Sequence, residues 1–179
     1  MKSIRMTLPL IVMFLSVPAY SESDAQKSFE KLKTLSGAWE GKATTDMKAA
    51  ALEETPMYIV LRTTSRGNAL MHEMTSAGSP DDPITMFYLD ENRVLLTHYC
   101  DAGNRPRMEG KLSPDGKTLE FSFLDVAGSN LHEHMHHAKF TFIDGDHHSE
   151  DWTFMVGDTP VHAHVDLHRI QEGSGAAKN

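Results

Sequence analysis

Residues 37–41 read Gly-Ala-Trp-Glu-Gly, and this stretch decides the fold that the sequence predicts. It follows a short segment of helical periodicity and opens a series of segments in which apolar and polar residues alternate, ending near Arg169. Such alternation is typical of half-buried strands. If the series closes on itself, Trp39 on the first strand meets Arg169 on the last. We expect the indole to plug one end, with the guanidinium on its face as a cation–π partner worth roughly 0.5–2 kcal/mol.

One short helix and about ten strands are predicted along the chain. Asp24 is expected to cap the helix, in which Phe29, Leu32 and Leu35 recur at helical spacing. The strands after the first are predicted at 57–61, 70–74, 84–89, 93–100, 105–112, 119–123, 131–143, 147–156 and 160–170. A meander of this length buries its edges by closing. The predicted fold is therefore all-β: a single closed antiparallel up-and-down barrel of about ten strands with one short N-terminal helix.

The two ends of the chain differ from this pattern. Residues 1–21 combine the basic Lys2 and Arg5, an apolar run at 8–17 and a small-residue cleavage site, which together are typical of a signal peptide. The apolar run is too short to span a bilayer, for which a helix needs roughly 20 residues. We expect an exported protein, periplasmic or extracellular, with a barrel domain at 22–171, a disordered tail at 172–179 and no membrane span.

Charge and cysteine content restrict the partners and the means of stabilisation. Without Lys2 and Arg5 the 17 basic residues fall to 15 against 25 acidic ones, a formal charge near −10 with histidine neutral. Nucleic acid is an improbable partner, because phosphate binding needs a clustered basic face. Cys100 is the only cysteine, so the chain forms no internal disulfide, and we expect this side chain to be buried. The fold depends on packing.

The phase of the strands directs several histidines inward. Alternation from the aromatic residues of each strand places an unusual number of polar groups inside the barrel among aromatic and methionine side chains. Buried polar groups cost a few kcal/mol each if unpaired, so the set indicates a hydrogen-bonded core network, a small-molecule cavity, or a metal or haem site. The inward residues given a ligand-binding role are His72, His98, Phe121, Phe123, His134, His136, His148 and Trp152, with Glu150 beside them.

A second polar group is expected at the rim next to His98. Tyr99 follows it directly, and Arg107 lies on the strand that returns after the turn. Since a guanidinium matches a carboxylate bidentately, these three residues form a candidate site for the polar head of a ligand. The alternative is that Asn104 stabilises the turn and Arg107 faces solvent.

The chain resembles a known class of barrels at two places. Residues 35–41, Leu-Ser-Gly-Ala-Trp-Glu-Gly, and the segments 96–100, 103–104 and 106–108 resemble exported bacterial proteins of unknown function with a lipocalin-like or calycin-like barrel. The Gly-x-Trp-x-Gly start is also similar to that of nitrobindin-type haem barrels. The resemblance implies a barrel closed by Trp39 and Arg169, and it makes haem one conceivable cofactor, although Ala43 stands where the haem barrels tend to have a third glycine.

The remaining histidines are predicted to face outward. On the last strand His162, His164, Asp166 and His168 alternate with apolar residues. They resemble the His-x-His-x-Asp-His zinc motif of metallo-β-lactamase-like hydrolases, but one extra residue separates Asp166 from His168. We interpret them as a solvated polar face, with adventitious metal binding as the alternative, and assign no metal ligands.

Binding is favoured over catalysis. No nucleophile elbow, phosphate loop or paired-carboxylate motif occurs in the sequence. The predicted function is an exported barrel that holds a small apolar or amphipathic molecule in its interior. The alternatives are a haem-binding barrel, an enzyme that uses His98 or His134 as a general base, and a barrel with a filled core. The sequence does not specify the oligomeric state.

Overall fold

One helix and ten strands make up the computed structural model, which describes residues 22–46, 54–76, 78 and 82–170. The helix α1 is Asp24–Lys33. The strands are β1 Gly37–Thr45, β2 Thr55–Thr64, β3 Ala69–Ser76, β4 Ile84–Asp90, β5 Arg93–Tyr99, β6 Asn104–Leu112, β7 Thr118–Gly128, β8 Glu133–Phe142, β9 His147–Val156 and β10 Thr159–Ile170. The predicted signal peptide and the predicted tail lie outside the described residues. No helix in the described ranges is long and apolar enough to cross a membrane.

Every strand pairs antiparallel with its neighbours in sequence, and β1 pairs with β10 to close the barrel. Turn chemistry supports this meander. In the β6–β7 turn, for example, the Ser113 hydroxyl accepts from the backbone N–H of Thr118 and donates to Asp115. The predicted closed up-and-down barrel with one short N-terminal helix is confirmed.

Helix α1 covers one end of the barrel, called here the closed end. Its apolar stripe is buried, with Phe29 and Leu32 at most 2% exposed. The cap is Ser23 rather than the predicted Asp24. The Ser23 side chain accepts a hydrogen bond from the Gln26 backbone N–H, and the Gln26 side chain accepts one from the Ser23 backbone N–H. This capping box satisfies two backbone donors at the start of the helix. Asp24 instead occupies the first helical turn.

Trp39 and Arg169 form the predicted closure contact. Residues 39 and 169 are register partners of β1 and β10, and the guanidinium carbon lies 4.1 Å from the indole centroid. Trp39 is fully buried and donates its indole N–H to the Leu35 carbonyl oxygen at 2.8 Å. Arg169 also donates to the carbonyl oxygens of Ser36 and Gly145, at 2.7 and 2.9 Å. The cation–π prediction is confirmed, and the arginine additionally ties the chain after α1 to the β8–β9 turn.

Close contacts leave no room for a side chain at either of the two glycines that flank this tryptophan. A Cβ on Gly37 would lie 2.5 Å from a guanidinium nitrogen of Arg169, and the residue has a φ of +139°. A Cβ on Gly41 would lie 1.9 Å from the backbone oxygen of Asp166 on β10. Gly37 therefore makes room for the closing arginine, and Gly41 lets the first and last strands approach.

Replacement of Gly41 by alanine tests the closure. We expect Gly41→Ala to lower the free energy of unfolding by about 1–3 kcal/mol, because the added methyl meets backbone rather than a mobile side chain. Gly145→Ala is the matched control, since a Cβ there meets nothing within 4 Å. Urea unfolding of both variants checks this, and equal stability of the two would contradict the close approach of β1 to β10.

Candidate functional site

The inward-facing side chains change character along the barrel axis. Near α1 they are closely packed and fully buried, as are Leu61, Phe87 and Leu167. Toward the opposite end, called here the open end, inward positions stay apolar but become partly exposed. This group, called here the mouth, consists of Ala43, Met74, Met135, Phe154, Val161 and Ala163. The interior thus has a filled closed half and an apolar, partly accessible open half.

Between the two halves lies a buried carboxylate with three donors. Glu150 is completely buried and contacts His72 Nε2 at 3.1 and 3.2 Å, His148 Nε2 at 3.1 Å and Trp152 Nε1 at 2.9 Å. His72 lies on β3, and His148, Glu150 and Trp152 lie on β9. This group is called here the polar floor of the mouth. The predicted inward orientation of His72, His148 and Trp152 is confirmed.

The environment of Glu150 decides its charge. Burial alone raises the pKa of this carboxyl, but the adjacent His72 and the hydrogen bonds from His148 and His72 outweigh that effect and lower its pKa below the ordinary value. The group is therefore an ionised carboxylate held by its donors. The Nδ1 atoms of His72 and His148 are buried without a hydrogen-bond partner in the described part of the chain. The Glu150 carboxylate thus has three hydrogen-bond donors, whereas the Nδ1 atoms of the two histidines have no partner among the described residues.

Aromatic rings enclose this network. The imidazole of His72 lies 6.4 Å from Phe87, 6.3 Å from Phe140 and 5.8 Å from Trp152, and His148 meets Trp39 edge-on at 4.2 Å. Phe121, which was predicted to contact ligand, packs against Phe87 and Phe140 and is fully buried. These contacts make Phe121 part of the filled half of the barrel.

His98 differs from the other two buried histidines because it is bound to a hydroxyl rather than a carboxylate. Its Nδ1 lies 2.8 Å from Oγ1 of Thr85, and its ring centroid lies 5.8 Å from that of Trp152. Among the described residues, no hydrogen-bond partner contacts its Nε2. Burial, with a further contribution from His72 and against an opposing one from Asp101, lowers the pKa of His98 to about 4. At neutral pH the side chain is an uncharged imidazole near the open end. The buried Thr85 was not predicted, because no motif marks it.

A β-bulge changes the predicted orientation of the β8 histidines. The β8–β9 register shifts between Met135 and His137, so Met135 is the partner of the inward Phe154. Met135 therefore occupies the inward position that alternation assigned to His134 and His136, since one extra residue inverts the phase.

His134 and His136 form a cluster of their own. His134 and His136 contact each other at 3.2 Å and pack on Phe123, with His136 stacked at 4.7 Å, where the β7–β8 ladder ends after Ser122. The strict alternation that predicted an inward row with Phe140 and Phe142 is therefore interrupted beyond Ala138. The two histidines lie against Phe123, the register partner of the buried Met108.

Tyr99 and Arg107 do not join His98. Tyr99 is 49% exposed, and Arg107 is on the outer face, where its guanidinium forms a bidentate pair with Asp125. Each of them is adjacent in sequence to an inward residue and therefore points outward: Tyr99 follows His98, and Arg107 precedes Met108. The predicted rim cluster is therefore wrong as a geometric grouping. Instead, the buried Asn104 donates to the carbonyl oxygens of Asn130 and Glu133 and fastens two loops of the open end.

The histidines of β10 face solvent as predicted. His162, His164 and His168 are exposed, and His164 Nδ1 lies 2.6 Å from Oδ1 of Asp151. Two clefts adjoin this outer surface. One of about 920 Å³ runs across β10, β1, β2 and β3 and includes Asp166 and His168, and one of about 440 Å³ lies by the open end beside Thr45 and Trp152.

Comparisons with known proteins identify the fold. No family model matches the chain, and no curated protein does. Among solved structures, Rv2717c from M. tuberculosis is 17% identical with a TM-score of 0.60, covering 80% of this chain and 98% of its own. An S-type phycobiliprotein lyase, CPES from Guillardia theta, is 12% identical with a TM-score of 0.54, covering 83% and 98%. At this identity the similarity shows the fold alone, which is a lipocalin-like closed barrel.

The lowered pKa of His98 predicts a specific pH dependence of stability. The unfolded state takes up a proton near pH 6.5 that the folded state resists until about pH 4. The free energy of unfolding should therefore fall as the pH drops from 6.5 to 4, and His98 should account for roughly 3 kcal/mol of that loss. His98→Gln should flatten the pH profile by about one proton in this window, whereas the exposed His162→Gln should leave it as in the wild type. Urea unfolding across the window measures both, and an unchanged slope in His98→Gln would contradict the buried neutral imidazole.

Proposed function

We propose that this protein is an exported carrier-type barrel that binds a small, partly apolar molecule in the open half of its interior. The observation that carries the proposal is the contrast along the barrel axis. Inward apolar side chains are sealed at the closed end but remain accessible in the mouth, directly above a polar floor. An apolar wall with a few convergent polar groups is typical of an orienting pocket.

The polar end of such a ligand is best met by His98. The Glu150 carboxylate already has three donors, so it positions His72, His148 and Trp152 and has little capacity left for a ligand. His98 retains Nε2 for a new bond and carries no charge at neutral pH. A neutral imidazole either accepts or donates one hydrogen bond. The fitting ligand therefore carries a hydroxyl, carbonyl or carboxylic group on an apolar body.

Haem is the second candidate, and the same histidine supports it. Iron ligation requires a neutral imidazole nitrogen, which the Nε2 of His98 provides beside Trp152. This fits the resemblance of residues 37–41 to nitrobindin-type barrels. His98 would hold the iron, and the mouth would contact the macrocycle.

Catalysis by His98 is less well supported. A general base works best with a pKa near the operating pH, and the pKa of His98 is lowered to about 4. The buried position that makes His98 a poor base leaves it a suitable hydrogen-bond partner. The geometry therefore favours a binding function over acid–base chemistry at this residue.

Occlusion of the mouth tests the binding proposal. Ala163→Phe places a large side chain at an inward, partly exposed position beside Trp152, and Ala127→Phe places the same side chain on the exposed outer face of β7 as a control. The probe is 1-anilinonaphthalene-8-sulfonate, an apolar body with an anionic head, with dodecanoic acid as competitor. We expect Ala163→Phe to weaken probe binding by about tenfold or more, or 1.4 kcal/mol, with Ala127→Phe unchanged. Energy transfer from tryptophan to the probe measures binding, and equal affinity of both variants would contradict an interior site.

Haem titration separates the two ligand classes. If the second candidate holds, haem added to the wild type gives a shifted Soret band that is lost in His98→Ala and kept in His162→Ala. If haem binds nowhere but the probe and dodecanoic acid do, the general apolar ligand is favoured. If neither raises the melting temperature at concentrations far above micromolar, the interior is a filled core, because a bound ligand stabilises by RT ln(1 + [L]/Kd).

A further inference from the structure

A second group of ligand-type side chains lies on the outer wall, outside the interior site. His147 on β9 is the direct register partner of His168 on β10, and Asp166 precedes His168 by two residues on the same outward face. Side chains directly opposite each other on paired strands have Cβ atoms about 5 Å apart. Barrel pairing thus brings His147 next to Asp166 and His168. His147 is 19 or more positions away from both of them in the sequence.

The three side chains converge on one point. The two imidazole rings stack with centroids 4.2 Å apart and 21° between their planes. His147 Nε2 is within hydrogen-bond distance of Asp166 Oδ1. One ligand atom from each of the three residues lies within 4.8 Å of the others, and in the described part of the chain this is the one group of three such residues that meets this limit.

We propose that His147, Asp166 and His168 bind a divalent transition-metal ion of the zinc class on the outer wall of the barrel. Two imidazoles and one carboxylate form a borderline donor set that suits Zn²⁺, Co²⁺ or Ni²⁺ and differs from the all-oxygen sites of Ca²⁺ and Mg²⁺. Tetrahedral coordination at about 2.0–2.2 Å needs ligand atoms roughly 3.3 Å apart. His168 and Asp166 are exposed, so rotation of their side chains can bring the donors to this spacing.

Carboxylates surround this place, and the lysine opposite Asp166, Lys42, is itself paired with Glu54. The hydrogen bond from His147 lowers the pKa of Asp166, against a smaller opposing effect of burial, so the carboxylate is ionised. Glu40, the register partner of His168 on β1, adds a carboxylate on the same wall. The chain as a whole carries an excess of acidic residues, 25 against 17 basic ones.

A cleft beside the three donors gives access to further metal ligands. Three protein donors leave at least one coordination position open, and Asp166 and His168 line the cleft of about 920 Å³ across β10 and β1–β3. Two of the three donors therefore border a cleft. Water or an oxygen donor of a small molecule in the cleft can complete the coordination.

Isothermal titration with ZnCl₂ tests the site, using the full chain without a histidine tag. The wild type should bind one ion per chain at this site, and His147→Ala and His168→Ala should each weaken binding by about tenfold or more. His162→Ala is the matched control, because it removes an exposed outward histidine of the same strand, and it should bind as the wild type. Co²⁺ should give a visible d–d spectrum that the two site variants lose and the control keeps.

Several outcomes would overturn the proposal. The first is a wild-type affinity for Zn²⁺ no greater than that of the His147→Ala/His168→Ala double variant. The second is a loss of affinity in His162→Ala equal to that in the site variants. The third is a similar loss on replacement of any outward histidine, which would mean adventitious surface binding. Melting temperatures without metal establish that the variants fold, and His168→Gln repeats the test if the alanine variant does not. Probe binding in the mouth should be unchanged in every metal variant, so failure here leaves the interior proposal standing.

Discussion

The contact between the Trp39 indole and the Arg169 guanidinium fixes how the two ends of the barrel sheet meet. The ring is buried at the closed end, and the arginine lies on it while binding carbonyl oxygens of the segment after α1 and of the β8–β9 turn. The direct cation–π term is modest, roughly 0.5–2 kcal/mol. Its structural effect is larger, because the same two side chains position the helix, the first strand and the last strand. Gly37 and Gly41 are required by this arrangement, since any side chain there would meet the guanidinium or the β10 backbone.

The closed end in turn determines what the interior can hold. Helix α1 and the packed rings of Phe87, Phe121 and Phe140 fill that half. Ionised Glu150 sits at the boundary, and a buried charge of this kind is tolerated only with full hydrogen bonding. Its three donors meet that need. The inward side chains are therefore fully buried near α1 and partly exposed in the mouth.

The inner and outer faces offer different chemistry because adjacent residues of a strand point in opposite directions. On β10 the inward Val165 and Leu167 belong to the core, while Asp166 and His168 between and beside them belong to the outer wall. A ligand in the mouth would meet methionine, aromatic and neutral imidazole groups. A ligand on the outer wall would meet carboxylates and solvated imidazoles. The two proposed sites are thus separated by the thickness of the sheet and can be altered independently.

The sequence by itself determined the barrel, its closure pair and the inward phase of His72, His98, His148 and Glu150, because a period of two along each strand is a local property. It failed where the period is interrupted. The bulge at Met135–His137 depends on how β8 fits against β9, and it interrupts the alternation from which the positions of His134 and His136 were predicted.

Only the tertiary structure decided which polar groups meet across strands. It paired Arg107 with Asp125 instead of a ligand, joined Thr85 to His98, and brought His147 to Asp166 and His168. Such contacts depend on the register between neighbouring strands. That register is a property of the assembled barrel and not of any single strand.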